Sequence, residues 1–371
     1  MIATRPGSDI TGLIRRPSWE RPIANRLNRI ASGNPFAGKA LMSAKKRILS
    51  GMRPTGPLHL GNLHGALNNW VGMQEPYDCF FFIADWHALT SDYENPGAIT
   101  AYVYEMMIDW LSAGLDPEKS TLFVQSLIPE HAELFLFLSM ITPVPWLERN
   151  PTYKDQVVQI ANKDLSTFGF LGYPVLQAAD IIMYKANGVP VGIDQVPHVE
   201  ITREIARRFN FLYGELFPEP EALLTQTPKI LGLDRRKMSK SYNNAIYLSD
   251  PPEVIAKKVS QMITDPQRMR KSDPGNPDIC NVFEFHKLYS GPQTCQRIDG
   301  QCRKAEIGCV ECKKIMADNL IRAMQPLHER RAHFEAHPQR VREIIAFGSQ
   351  KARQVAMATM EQVRSAIRIR D

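Results

Sequence analysis

The chain has 371 residues, 44% of them hydrophobic, enough to bury one large core or two smaller ones in two or three domains. No run approaches the ~18 consecutive apolar residues of a membrane helix, and residues 1–41 lack the apolar core and cleavage site of a secretory leader, so a cytoplasmic protein with no membrane partner is expected. The formal charge of +6 sits mostly at one end: Arg5, Arg15, Arg16, Arg21, Arg26, Arg29 and Lys39 stand against Asp9 and Glu20, which leaves the rest almost neutral and excludes a nucleic-acid binder that is cationic over its whole surface.

In chain order, residues 1–41 show no sustained apolar period and read as a disordered extension. Two origins fit it: an over-long start before Met42, which opens the compact "MSAKKRILSGM", or an Arg-rich organelle address. Short apolar runs then alternate with longer amphipathic ones. "RILSGM" (47–52), "CFFFIAD" (79–85), "STLFVQS" (120–126) and "VPVG" (189–192) predict buried strands, while 61–74, 97–114, 131–142 and 195–210 predict helices. Such alternation predicts an α/β fold with a Rossmann-type, doubly wound parallel sheet. After about residue 250 the strands stop. "PPEVIAKKVSQMI" and the stretch from 310 onward repeat apolar residues at helical spacing, with interruptions expected at Pro326 and at 336–339. The domain reading is therefore an extension (1–41), a catalytic domain (42–250) and a C-terminal helical domain (251–371).

Two stretches carry chemistry. In "GMRPTGPLHLGNLHGAL" (51–67) a strand ends, Pro54, Thr55 and Gly56 turn, and a helix begins near Gly61. Glycines there let a polyphosphate approach main-chain N–H groups at a helix start, and His59 can donate to a phosphate oxygen. About 180 residues later, "DRRKMSKSYNN" (234–244) places Lys237 and Lys240 three apart in a polar loop suited to a phosphate chain. Tyr173, Gln177 and Asp180 in "GYPVLQAADIIMY" are spaced to share one helix face, where a carboxylate can accept from an indole N–H or equally from a phenol.

At these residues the chain resembles the class I aminoacyl-tRNA synthetases. "HLGN" (59–62) is similar to the family's His-Ile-Gly-His signature, with Asn62 in place of the second His, and "KMSKS" (237–241) matches its second signature. "SGMRPTGPLHLGN" and "VPVGIDQVPHVEITREIARRFN" resemble the tryptophan-specific branch more than the tyrosine-specific one. The resemblance implies activation of L-tryptophan with ATP and Mg2+ and its transfer to tRNA(Trp) by a homodimer. It implies catalytic roles for His59, Asn62, Lys237 and Lys240, and ATP contacts from Arg53, Thr55, Gly56, Gly61, Gly192, Asp194, Met238 and Ser239. Tryptophan would be held by Tyr173, Gln177 and Gln195, with Asp180 on the indole nitrogen. A tyrosine-specific synthetase of the same fold, or a non-catalytic RNA-binding paralogue, are the alternatives.

Five of the six cysteines fall between Cys280 and Cys312. Cys280, Cys302, Cys309 and Cys312 form C-x21-C-x6-C-x2-C, and four thiolates suit either structural zinc or an iron-sulfur cluster. Some bacterial tryptophan enzymes carry a 4Fe-4S cluster at similar spacing, so the resemblance implies that cluster, with Cys295 spare. The helical domain would hold the tRNA anticodon arm, with Lys313, Lys314, Arg322, Arg330, Arg331, Arg340 and Arg342 as candidates to face phosphates.

Overall fold

The computed structural model describes residues 45–154, 165–225 and 230–369; the expected N-terminal extension lies outside the described residues. Its centre is a five-stranded sheet, all parallel, in the order β3-β2-β1-β4-β5. The strands are β1 (Arg47–Met52), β2 (Asp78–Ile83), β3 (Ser120–Val124), β4 (Gly188–Val191) and β5 (Glu221–Leu224). The first four occupy the predicted stretches. β5 has no counterpart in the sequence reading, because "EALL" is short, lacks β-branched residues and leaves both its ends exposed.

Helices cover both faces, which is why β2 and β3 read as nearly unbroken apolar runs. On one face Trp70 stacks on Phe81, ring centroids 4.6 Å apart, and Trp110 meets Trp70 edge-on. The two tryptophans belong to α1, which runs as Leu60–Asn62, a segment with i→i+5 bonding over Leu63–Leu67 and Asn68–Met73, and to α3 (Ile99–Ala113). α2 (Asp85–Asp92), absent from the sequence reading, follows β2 directly. On the other face Leu49, Phe80, Phe82 and Phe123 pack against α4 (Glu130–Ile141), α5 (Phe168–Met183) and α6 (Val196–Tyr213).

The C-terminal part is helical, as expected, in α7 (Pro252–Ser260), α8 (Asn281–Tyr289), α9 (Pro292–Arg303), α10 (Cys309–Ala336) and α11 (Pro338–Ala366). α10 runs through Pro326, contrary to the expected break there. A mid-helix proline costs ~3 kcal/mol, but Met324 and Leu327 on either side are buried, and their packing offsets it. The break comes at His337, followed by Pro338 at the first turn of α11. α11 lies along edge strand β3 so closely that a Cβ on Gly348 would come within 1.7 Å of the Leu122 carbonyl oxygen. The Val124 N–H then donates to Ser349 Oγ at 3.3 Å, so the helix shields the sheet edge and satisfies one of its donors.

Candidate active site

The strand order reverses between β1 and β4, and there the sheet opens. The two strands are in register at Ile48 and Gly188; further along, Ser50 Oγ donates to the Pro190 carbonyl at 3.4 Å. A cavity of about 610 Å³ lies beyond this point, lined by the ends of both strands. Ligands of doubly wound sheets bind in this crevice.

The first signature forms one wall. Gly56 has φ of +125°, which only glycine adopts without strain, and its bare Cα lies against the Lys240 side chain. His59 caps α1, its N–H donating to Asn62 Oδ1 at 3.0 Å. Asn62 thus replaces the family's histidine with a capping oxygen, and it lines the cavity. A Cβ on Gly61 would meet the His59 ring at 2.8 Å, so glycine is what lets the imidazole lie over the helix start. Burial first, then the Lys240 and Lys237 charges, depress the His59 pKa to about 4. The ring is therefore neutral near pH 7, available as a hydrogen-bonding group and not as a cation.

The second signature is locked onto the first. Leu231 bridges Lys237 across a tight hairpin whose turn residue Arg235 has φ of +67°. Asn244 pins the signature loop from within: its Oδ1 accepts from Ser239 N at 2.8 Å, and its Nδ2 donates to Asp234 Oδ1 at 2.7 Å and to the Lys237 carbonyl. Residues beyond the loop then pair with the other signature, Leu60 N to Ile246 O at 3.0 Å and Leu248 N to Leu58 O at 2.8 Å. Lys240 Nζ donates to Thr55 Oγ1 at 3.3 Å, and Lys237 lines the cavity with Arg53. Met238, expected at ATP, is buried with its Cβ near Gly61, and the Ser239 hydroxyl caps the next turn by accepting from Ser241 N. Desolvation, then the neighbouring Arg53 charge, lower the Lys240 pKa to about 8.

The opposite wall comes from β4, the start of α6 and α5. Gly192, Asp194, Gln195, Tyr173 and Gln177 all line the cavity. Gln195 Nε2 donates to Asp194 Oδ2, so its Oε1 faces His198 Nδ1 at 3.0 Å. His198 Nδ1 must then carry the proton, and Nε2 accepts from the Tyr173 hydroxyl at 2.8 Å. Burial lowers the His198 pKa to about 4, which keeps the ring neutral and this order fixed. The Tyr173 oxygen is left with lone pairs for a donor in the cavity.

Asp180 is placed differently from Tyr173 and Gln177. It is 0% exposed and sits behind the cavity wall, its carboxylate held by His131 Nδ1 at 2.6 Å, His87 Nε2 at 2.8 Å and Gln125 Nε2 at 2.8 and 3.0 Å. Burial alone pushes its pKa up, yet the bonds from His131 and His87 outweigh this and hold it low, so the group is a charged acceptor. His87 is the member of this network that lines the cavity. Sequence reasoning missed His87, Gln125 and His131; the usable signal was that Gln125 follows β3 directly and His87 lies in the first turn of the helix after β2, both near the carboxyl ends of strands.

The sequence profile of the class I tRNA synthetases (W and Y) matches residues 42–325. The tryptophan–tRNA ligase of Thermotoga maritima is 52% identical over 325 residues, covering 87% of this chain and 99% of that protein. That of Aquifex aeolicus is 47% identical over 393 residues, covering 87% of this chain and all of its own length. The chain belongs to the tryptophan–tRNA ligase family. Among solved structures, tryptophanyl-tRNA synthetase from Campylobacter jejuni, complexed with ADP and tryptophan, matches with a TM-score of 0.80 at 34% identity, over 86% of this chain and 99% of that one.

The four cysteines expected to act together lie at the ends of three helices of the synthetase. Cys280 precedes α8, Cys302 ends α9, and Cys309 and Cys312 open α10. Burial, then repulsion from Cys280, Cys302 and Cys309, pushes the Cys312 pKa up to about 12. Arg268 places Nη1 3.8 Å from Cys302 Sγ and 3.9 Å from Cys309 Sγ, and its buried Nε has no hydrogen-bond partner. Cys295 turns away, its Sγ on the His286 and Ser290 carbonyls. Among the described residues no three His, Cys, Asp or Glu side chains stand close enough to chelate an ion.

Three basic residues expected to face phosphates do other work in this synthetase. Arg331 is buried and pairs with Asp109, Glu105 and Glu335, Arg330 donates to the Ser112 carbonyl at 2.6 Å, and Lys313 donates to the Ser260 carbonyl at 2.8 Å. Lys314, Arg322 and Arg342 remain exposed. No helix among the described residues is long and apolar enough to cross a membrane.

Proposed function

We propose that the cavity aligns L-tryptophan and ATP so that the substrate carboxylate attacks the α-phosphorus, pyrophosphate departs, and the tryptophanyl group passes from the adenylate to tRNA(Trp). No protein nucleophile is needed; the chain supplies alignment and charge. Arg53, Lys237 and Lys240 neutralise the departing pyrophosphate, aided by the Mg2+ that arrives with the nucleotide. His59, Asn62 and the main chain at Thr55, Gly56 and Gly61 add hydrogen bonds, with Met238 and Ser239 shaping the loop. Gly192 and Asp194 take the ribose. On the amino-acid side, the lone pairs of Tyr173 and the Gln195 amide receive the ammonium, beside Gln177.

Asp180 reads the indole N–H, which reaches Oδ2 when His87 yields it. A site built around a buried hydrogen bond rejects an analogue lacking that group by ~10^4 to 10^5-fold, so phenylalanine needs no editing. The observation that carries the reading is the interlock of the two signatures at the switch point, Lys240 on Thr55 and Gly61 beneath His59. ATP–pyrophosphate exchange run with tryptophan and tyrosine in parallel tests it. Exchange dependent on tryptophan is expected; exchange with tyrosine alone, or with neither, overturns it.

The C-x21-C-x6-C-x2-C spacing, with Arg268 beside Cys302 and Cys309, supports a cysteine-ligated 4Fe-4S cluster, zinc being the other metal such a set takes, and holding either requires the four thiols to draw closer than they stand in this structure. When bound, it would staple α8, α9 and α10 together. Iron and acid-labile sulfide after anaerobic purification are expected, and zinc in their place would overturn the assignment. A cytoplasmic homodimer with 251–371 on the anticodon arm completes the proposal.

A further inference from the structure

Helix α8 (Asn281–Tyr289) lies outside the cavity yet touches both signature segments. At its first residue the fully buried Asn281 donates from Nδ2 to the Gly232 carbonyl at 2.7 Å, with the Leu233 carbonyl at 3.5 Å. Both partners are acceptors, so the amide nitrogen has to face them. The Asn281 Oδ1 is left buried without a partner, a cost that an apolar residue would avoid. Gly232 sits in the hairpin that carries Lys237, its N–H bonded to the Arg236 carbonyl at 2.7 Å.

At the last residue of the helix, the Tyr289 hydroxyl meets His64 Nε2 at 2.6 Å, with the two rings edge to face. His64 belongs to the i→i+5 segment of α1, directly after Asn62, and its neighbours Gly65 and Ala66 line the cavity. Helix α8 is itself anchored at its carboxyl end. Asn319 of α10 donates to Ser290 Oγ, just past the last turn of α8, at 2.8 Å.

We propose that α8 is a strut that sets the separation of the two ATP-facing segments, with Asn281 and Tyr289 as its positioning residues. The proposal rests on the assignment of those segments to ATP. A triphosphate gripped from two sides is sensitive to the spacing of the grips, since a misplacement of about 1 Å costs ~10^2-fold in rate. Neither residue lines the cavity, and neither bonds to the Tyr173, His198 and Gln195 wall, so the effect belongs to ATP and not to tryptophan.

The test uses the full chain with Tyr289→Phe, which removes one hydroxyl, and Asn281→Ala. In pyrophosphate exchange, each variant should raise the KM for ATP or lower kcat by ~10-fold. Tryptophan binding, read by equilibrium dialysis, should stay within about twofold. His64→Leu combined with Tyr289→Phe should be no worse than the more severe single change. Should Asn281→Ala fail to fold, Tyr289→Phe decides. ATP parameters unchanged in Tyr289→Phe, or ATP and tryptophan weakened alike, would overturn the strut. Wild-type protein that fails to exchange with tryptophan would instead overturn the assignment of the cavity.

Discussion

His59 carries no charge near neutral pH because its ring is buried beside Lys240, so in the proposed reaction the cationic work at the phosphates falls to Lys237, Lys240 and Arg53. Lys240→Ala should therefore cost about 3 kcal/mol, or ~10^2-fold, in pyrophosphate exchange, with tryptophan binding unchanged; equal losses in both would contradict its role. With its pKa near 8 in the free protein, Lys240 is partly deprotonated there. A bound triphosphate favours the ammonium, so ATP binding at pH 8 should take up a fraction of a proton, seen by calorimetry in buffers of different ionisation enthalpy and lost in the variant. His198 gives a stability effect of definite sign. Its folded pKa, about 4, lies below the ordinary 6.5, so the unfolded chain binds the proton first as pH falls. The stability it contributes is complete above about pH 6.5 and is lost between there and pH 4, by about 3 kcal/mol at most. Urea unfolding at pH 7 and pH 5 should show a larger loss for wild type than for His198→Gln.

The helices that close the molecule depend on a few positions where main chains approach. At Gly348 the space for a methyl group is taken by the Leu122 carbonyl, which belongs to strand backbone and cannot swing aside. Gly348→Ala should lower stability by about 1–3 kcal/mol or more, measured by thermal unfolding, while Gly300→Ala, in α9 with open space around it, should not. The same physics decides which elements the sequence reveals. Strands β1 to β4 and the long helices were legible because burial on both faces, or on one, imposes a period on the residues. Helix α2 was not, since "DWHALTSD" mixes polar and apolar residues around its circumference, and Pro326 looked like a stop because local preference cannot see the packing that overrides it. The site divides in the same way. Tyr173, Gln177 and Asp180 were legible at helical spacing within one segment. The partners of Asp180 were not, because His87, Gln125 and His131 reach it from 93, 55 and 49 residues away, and no local pattern encodes such contacts.

At the scale of the whole molecule, the near-neutral charge of residues 42–371 means that attraction to tRNA has to come from local groups of exposed cations. The basic residues of the helical part divide by what they touch. Arg331 lies between α10 and α3, paired with Asp109, which is itself buried, and with Glu105. Removing it strands a carboxylate in the interior, so Arg331→Ala should lower stability by about 3–5 kcal/mol. Below its melting temperature, the variant should bind tRNA with the same dependence on salt. Arg322, on the exposed side of α10, is the opposite case. A phosphate contact there releases about one counterion, so Arg322→Ala should leave the melting temperature unchanged and lessen the slope of log K against log salt by about 0.7 to 0.9. Titrating both variants with tRNA(Trp) at several salt concentrations separates the roles. A reduced slope in Arg331→Ala would place that guanidinium at the RNA and not in the core, whereas an unchanged slope in Arg322→Ala would move the anticodon contact to another face of the helical part.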